Sequence, residues 1–441
     1  MFSSAESNQQ PDIEFGVGMS QDWNSAIAGR EAANKALSQL NGKPKFLLIF
    51  STIHYYYAEK DGIKILLQEC RKLVSVETPL VGGTVAAFIC PAGCYTRGVV
   101  VVAATGDDID ITSAYAKDLI GNPKRAAEKL ASKIKAGLSG KNKVLFEFMP
   151  GPIEPSILNW EIVKKMARII PPAILIKLTG VLFDLSVTVF KTGTNVEVSV
   201  LKYLQWYLPQ FYIIGSSTID DIKCLHHFQY FNDNLLTNSM VGLGLSTSYD
   251  INFQFKQQII RTGKKFRIEK GSRNFCLTKI DGDFAVSKYI KEVGWFKNVG
   301  KMNVKDVNKV TFYFPFAFEE DGQLIEYATG FFFGENIYTN RPIQSDFSEL
   351  CLTSAKKNIE DLTSIASNLK DKSPVFTLII SAVTIPGILG SKMHLMHKIL
   401  KDNLKDNPFL LLVGIGIHGK EPFNNATLHD VSLKSLSICK K

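Results

Sequence analysis

Phe46-Leu47-Leu48-Ile49-Phe50-Ser51-Thr52 and Thr78-Pro79-Leu80-Val81-Gly82-Gly83-Thr84 are the two stretches from which the fold is read. The first is a short apolar run that ends in hydroxyls, the pattern of a buried strand delivering polar groups to a sheet edge. The second is a shorter apolar run that stops at paired glycines, where the backbone turns sharply or is closely approached. The segment between them, from Asp61 to Val74, has helical character.

Working outward, the same strand–helix–strand pattern recurs twice. One copy runs from Lys143-Val144-Leu145-Phe146-Glu147-Phe148-Met149-Pro150 to Phe211-Tyr212-Ile213-Ile214-Gly215-Ser216-Ser217-Thr218. The other runs from Pro374-Val375-Phe376-Thr377-Leu378-Ile379-Ile380-Ser381 to Pro408-Phe409-Leu410-Leu411-Leu412-Val413-Gly414-Ile415-Gly416. The first and last copies are similarly spaced, and the middle copy is longer, as an insertion would make it. Each proceeds to a further strand-like run: Thr96 to Val102, Asn238 to Leu243, and Asn425 to Leu428. The spacing is too uneven for a solenoid or propeller. The reading is a mixed α/β protein of layered mixed sheets covered by helices, built from repeated strand–helix–strand modules.

The remaining elements follow from local signals. Residues 1–12 are polar and read as a disordered terminus. Glu14 to Ser20 is a strand, and a helix beginning at Asp22 carries Trp23, Ala26, Ile27, Ala33, Leu37 and Leu40 on one face. Asn122 and Pro123 are cap and first-turn proline of a helix reaching Leu138. Phe284 to Val293 and Leu350 to Leu369 read as helices. Val310 to Phe318 and Leu324 to Gly334 read as paired strands around Glu319-Glu320-Asp321-Gly322.

Composition narrows the function. A chain of 441 residues with 45% apolar content is long enough for two or more domains. The net charge of +9 comes from scattered doublets such as Lys264-Lys265, not from a basic tract, so nucleic acid is not an expected partner. The apolar stretches Val375 to Gly390 and Pro171 to Phe190 read as buried elements, the first too short for a membrane and the second carrying Lys177 and Asp184. Seven cysteines and the absence of a leader at Met1-Phe2-Ser3 point to the cytoplasm. Cys90 and Cys94 make half a metal site at best, so no metal and no cofactor is expected. Gly16-x-Gly18 lacks the third glycine and the acidic ribose partner of a dinucleotide site.

With these residues in view, the sequence resembles the FIST family of sensory proteins with FIST N-terminal and C-terminal domains. The likeness spans about 14–436. It includes the opening Gly-Val-Gly, Glu31-Ala32-Ala33, Phe50-Ser51, Pro79 to Thr84, Asp281-Gly282 with Ala285 and Tyr289, and the closing Gly414 to Gly419, Glu421, Phe423, Asn425 and Thr427. The resemblance implies an N-terminal domain over 13–248 and a C-terminal domain over 249–441. It also implies binding of a small ligand, amino acids or related metabolites, without turnover. The family's cysteine and arginine are replaced near Ser381-Ala382-Val383-Thr384, and Lys420 interrupts its glycine–glutamate pair. These departures, with no output domain beside these residues, imply either a different ligand or a signal passed to a separate protein.

The expected ligand site gathers Ser381 and Thr384 with His418, Glu421, Asn424 and Asn425 beside a glycine-rich strand end. Glu421 would receive an amine, and the asparagines a carboxylate or amide. The competing reading of 418–425 is a polar turn whose asparagines bond their own backbone. Ser51, Thr52, Gly82, Gly83 and Thr84 are further ligand-contact candidates; helix-capping hydroxyls are the alternative for Ser51 and Thr52, and a Ser–His nucleophile with His54 is a third possibility. His226-His227 near Asp220-Asp221 reads as a solvated loop. Two other function classes stand beside the sensor: a hydrolase or transferase for a small polar metabolite, and an interaction scaffold.

Overall fold

The computed structural model describes residues 13–151, 169–171, 196–221, 225–271, 274–294, 311, 313–320, 322–327, 329–333, 335–339 and 341–441. The expected disordered terminus and the Pro171 to Phe190 stretch, apart from Pro171, lie outside them.

Three four-stranded units carry the fold. The first contains β1 (Glu14–Ser20), β2 (Phe46–Ser51), β3 (Leu80–Thr84) and β4 (Val99–Thr105), in the order β1-β4-β2-β3. The second contains β5 (Asp110–Lys117), β6 (Asn142–Pro150), β7 (Phe211–Thr218) and β8 (Ser239–Thr247), in the order β5-β8-β6-β7. The third contains β9 (Asp250–Gln257), β10 (Pro374–Ala382), β11 (Phe409–Lys420) and β12 (Ser432–Cys439), in the order β9-β12-β10-β11. In each unit the last two strands of the order are parallel and joined through helix, and the other neighbouring pairs are antiparallel. The strands read from Phe46, Val144 and Val375 therefore have equivalent neighbours. The apolar sequence of β2 explains its central place, since a strand covered on both faces needs no polar alternation.

The units are also sewn together. The Ala87–Cys90 strand that follows β3 pairs with β11, the Gln229–Phe231 strand that follows β7 pairs with β3, and the far half of β11 pairs with β7. Units two and three thereby share one sheet, which takes strands from both sides of the boundary expected at 248. The two sheets face each other through Phe15 stacked on Phe376 at 4.6 Å and Phe50 edge-on to Phe148 at 4.8 Å.

Helices cover the outer faces: α1 (Ser25–Leu37), α2 (Gly62–Arg71), α3 (Pro123–Ala136), α4 (Val196–Tyr207), α5 (Ala355–Ser367), α6 (Thr384–Leu389) and α7 (Met393–Leu404). Asn24, Asn122 and Ser354 cap α1, α3 and α5 with their side chains. A third sheet, with strands such as Ile259–Lys270, Gln323–Tyr327 and Phe347–Thr353, is inserted between β9 and α5 and has its own apolar core.

Three expectations are corrected here. The helix read from Leu350 to Leu369 begins only at Ala355, because Leu350–Thr353 is strand paired with Ile259–Arg261. The closing strand of the last copy is Ser432–Cys439; the run near Asn425 supplies only the short Thr427–His429 strand against β11. The Asp220 to His227 loop is not solvated throughout: Asp220 and His227 are buried, and the Asp220 carboxylate accepts from the amides of Leu225 and His226.

Candidate functional site

The strand register decides which of the expected residues meet. β10 ends against β11 at Ala382–Gly414. β11 runs on to Lys420, so Glu421 lies seven residues beyond that point, roughly 20 Å along an extended chain. Glu421, Asn424 and Asn425 are exposed, and Asn424 Nδ2 donates to Glu421 Oε2 at 3.4 Å. The expected single pocket of these residues with Ser381 and Thr384 is therefore not formed, and 421–425 is an exposed turn in which the Asn424 amide donates to the Glu421 carbonyl at 3.2 Å. His418 parts from them too, since it points into the protein with no exposed surface.

Ser51, Thr52 and Thr84 have internal partners instead of a ligand-facing position. Ser51 Oγ bonds Tyr230 Oη at 2.7 Å, Thr52 Oγ1 accepts from the Gly98 amide at 3.1 Å, and Thr84 Oγ1 accepts from the Phe228 amide at 3.2 Å. His54 reaches Thr52, not Ser51, and neither hydroxyl caps a helix. Gly82 and Gly83 are packing positions, pressed against Ile49 and Thr218.

Ser381 and Thr384 belong to a different grouping. Ser381 faces Leu433 and Ile379 faces Ser435 in the β10–β12 ladder, so Ser381 and Ser435 share one face of the sheet. Gln254, opposite Ser435 in β9, reaches from that face to the Ile365 carbonyl of α5. α5 therefore lies over these serines. It ends just before β10 begins and so runs antiparallel to it, which puts its N-terminal half over Ser381. Asn358 is buried in that half, and Thr384 opens α6, which packs against α5. The hydroxyls of Ser381, Thr384 and Ser435 and both polar atoms of the Asn358 amide are buried without a hydrogen-bond partner. Unmet polar groups in a core each cost about 1–3 kcal/mol unless something else completes them.

A second buried centre lies where β6, β7 and β11 run side by side. His418 is level with Gly215, and Gly215 with Glu147. With no side chain on the middle strand, His418 Nδ1 spans it to Glu147 Oε1 at 2.5 Å; a Cβ on Gly215 would come within 2.6 Å of that oxygen. A bulge at Gly416 sets the register that brings His418 there. His418 Nε2 is 3.2 Å from Ser217 Oγ, which also donates to Glu197 Oε1 of α4 at 3.1 Å. Burial lifts the Glu197 carboxyl to about 7 against the pull of its own amide, His418 and Ser217. Sequence reading missed Glu147, Ser217, Glu197, Asn358 and Ser435. The available signal was Glu147, an acid in the apolar run Val144–Met149.

Lys434 of β12 is fully buried nearby and donates to the carbonyls of Ile417 and Thr427 and to the Thr427 hydroxyl. Burial pushes its ammonium down to about 7, against the upward pull of Glu326 and Glu147. The unfolded chain holds this proton up to its ordinary value of 10.5, so between 7 and 10.5 the unfolded state binds more protons and stability rises with pH. Lys434→Met is expected to remove that contribution. Its stability relative to the parent should be greatest near pH 7 and decline toward pH 9 in denaturant titrations; a pH-independent difference would contradict the assignment.

Among the described residues no group of three or more His, Cys, Asp or Glu is placed to hold a metal ion, and no helix is long and apolar enough to cross a membrane. Among the described residues, Cys70, Cys90, Cys94, Cys351 and Cys439 are free thiols.

Mixed sheets under helices define a mixed α/β protein. The model of the FIST N domain matches residues 45–283, more than half of the chain, and the chain belongs to the FIST family, whose domains are sensory and bind small ligands. A search of curated proteins finds no match. Among solved structures the chain is similar to cyanuric acid hydrolase from A. caulinodans, over 98% of this chain and 100% of that one, at 9% identity and a TM-score of 0.34. A likeness of that size carries no argument about fold or activity.

Proposed function

We propose that this protein senses a small polar metabolite, an amino acid or a close relative, at the centre formed by Asn358, Ser381, Thr384 and Ser435, and passes the signal to a separate protein. The observation that carries the reading is the set of unpartnered hydroxyl and amide atoms between α5 and the β10–β12 face. Hydroxyls and a primary amide both donate and accept, so they serve the ammonium and the carboxylate of a zwitterion without adding a buried charge. The free thiols suit a reducing cytoplasm.

A thermal-shift screen against the amino acids tests this. A ligand at a hundred times its Kd should add about 2.7 kcal/mol to stability. Asn358→Leu should abolish that shift and raise the melting temperature of the unliganded chain, because replacing an unsatisfied buried amide by an apolar group removes a cost of about 1–3 kcal/mol. No shift with any amino acid or related metabolite, or an unchanged shift in the leucine variant, would remove the reading.

A further inference from the structure

We propose that Ser217, His418 and Glu147 form a nucleophile, base and orienting acid, and that the chain hydrolyses small esters or lactones through Ser217. The contacts stand in the required order: Ser217 Oγ lies 3.2 Å from His418 Nε2, and His418 Nδ1 lies 2.5 Å from Glu147 Oε1, so the serine hydroxyl that rests on Glu197 need only rotate to give its proton to Nε2. All three residues stand on adjacent strands of one sheet, so the arrangement is fixed by backbone register. With Nδ1–H given to Glu147, Nε2 is left as the acceptor that a general base needs.

In the first step Ser217 Oγ bonds to the carbonyl carbon while His418 Nε2 takes the hydroxyl proton. The bond from that carbon to the leaving alkoxide breaks, and His418 returns the proton to it as an alcohol. Water then attacks the acyl-serine with the same nitrogen as base; the Oγ–carbon bond breaks, the carboxylic acid leaves, and Ser217 regains its proton. Glu147 holds the Nδ1–H throughout and takes no proton. The triad has no exposed surface, so its substrates are compounds small enough to enter by local opening of the structure. This activity uses a different centre from the binding site around Asn358 and goes beyond equilibrium binding.

The test uses the full chain and 4-nitrophenyl acetate. The expected result is release of 4-nitrophenolate with an acetyl group on the peptide that contains Ser217, read by mass spectrometry. Ser217→Ala should lose both, and His418→Gln should slow acylation about a hundredfold or more. Melting curves establish that each variant folds. The parent decides the question even if the variants do not fold: no acetyl adduct on its Ser217, or acetylation confined to other residues, overturns the proposal. An amino-acid thermal shift that persists in such a parent leaves the sensor reading intact.

Discussion

Gly82→Val is expected to destabilise the chain by about 3 kcal/mol, the upper end of the usual cost of overpacking. Gly82 sits in β3 directly opposite Ile49 of β2, and a Cβ there would lie 1.8 Å from the Ile49 carbonyl oxygen. That atom is backbone in the centre of a sheet, so no rotamer change relieves the clash. The strand pair must separate, and the Leu47–Leu80 to Ser51–Thr84 ladder is lost in part. The paired glycines of the sequence thus report close backbone approach and not a turn, since Gly82 has ordinary strand dihedrals. Denaturant midpoints measure the effect. A loss below about 1 kcal/mol would mean that the strands give way freely, contrary to the packing described.

Glu326→Ala should cost about 3 kcal/mol or more, because His429, the Val431 amide and Gln257 each lose their acceptor at about 1–3 kcal/mol per buried unpaired donor. Glu326 stands on the inserted sheet and is fully buried. Its carboxylate accepts from His429 Nδ1 at 3.1 Å, from the Val431 amide at 3.1 Å and from Gln257, and its carbonyl accepts from Arg341 at 2.8 Å. It therefore fastens the inserted sheet to the β11–β12 connection. Burial alone would raise its pKa, but His429, Gln257 and its backbone bonds together hold it below the ordinary carboxylate range. Burial pushes the His429 imidazole down, more than Glu326 raises it. Both folded-state values lie below the unfolded ones, so in acid the unfolded chain takes up more protons. Stability is full above about pH 6.5, the ordinary value of histidine, and falls as pH drops through the histidine and then the carboxylate range. The alanine variant should lose the carboxylate part of that acid dependence. An acid titration of stability identical in variant and parent would overturn this account.

Much of the fold was legible because apolar runs and their punctuation are local. β2, β3, β6, β7, β10 and β11 begin and end close to where the hydrophobic pattern and the glycines place them. Asn122-Pro123 opens α3, and Asp281-Gly282 precedes the Ala285–Val293 helix, as turn and cap chemistry require. Where the reading slipped, a longer-range partner prevailed. Leu350–Thr353 is amphipathic enough for a helix but is claimed by the strand at Ile259–Arg261. Thr427–His429 looks like a closing strand but is only the return of the β11 hairpin.

The sequence by itself determined the layered α/β class and the three strand–helix–strand modules, because each depends on residues close together in the chain. What only the tertiary structure decided is which polar side chains meet. Register places Glu421 roughly 20 Å beyond the end of β10 and sets Glu147 beside His418 across a glycine. These neighbours are separated by tens to hundreds of residues, and a shift of one residue in any ladder would turn every one of those side chains to the opposite face.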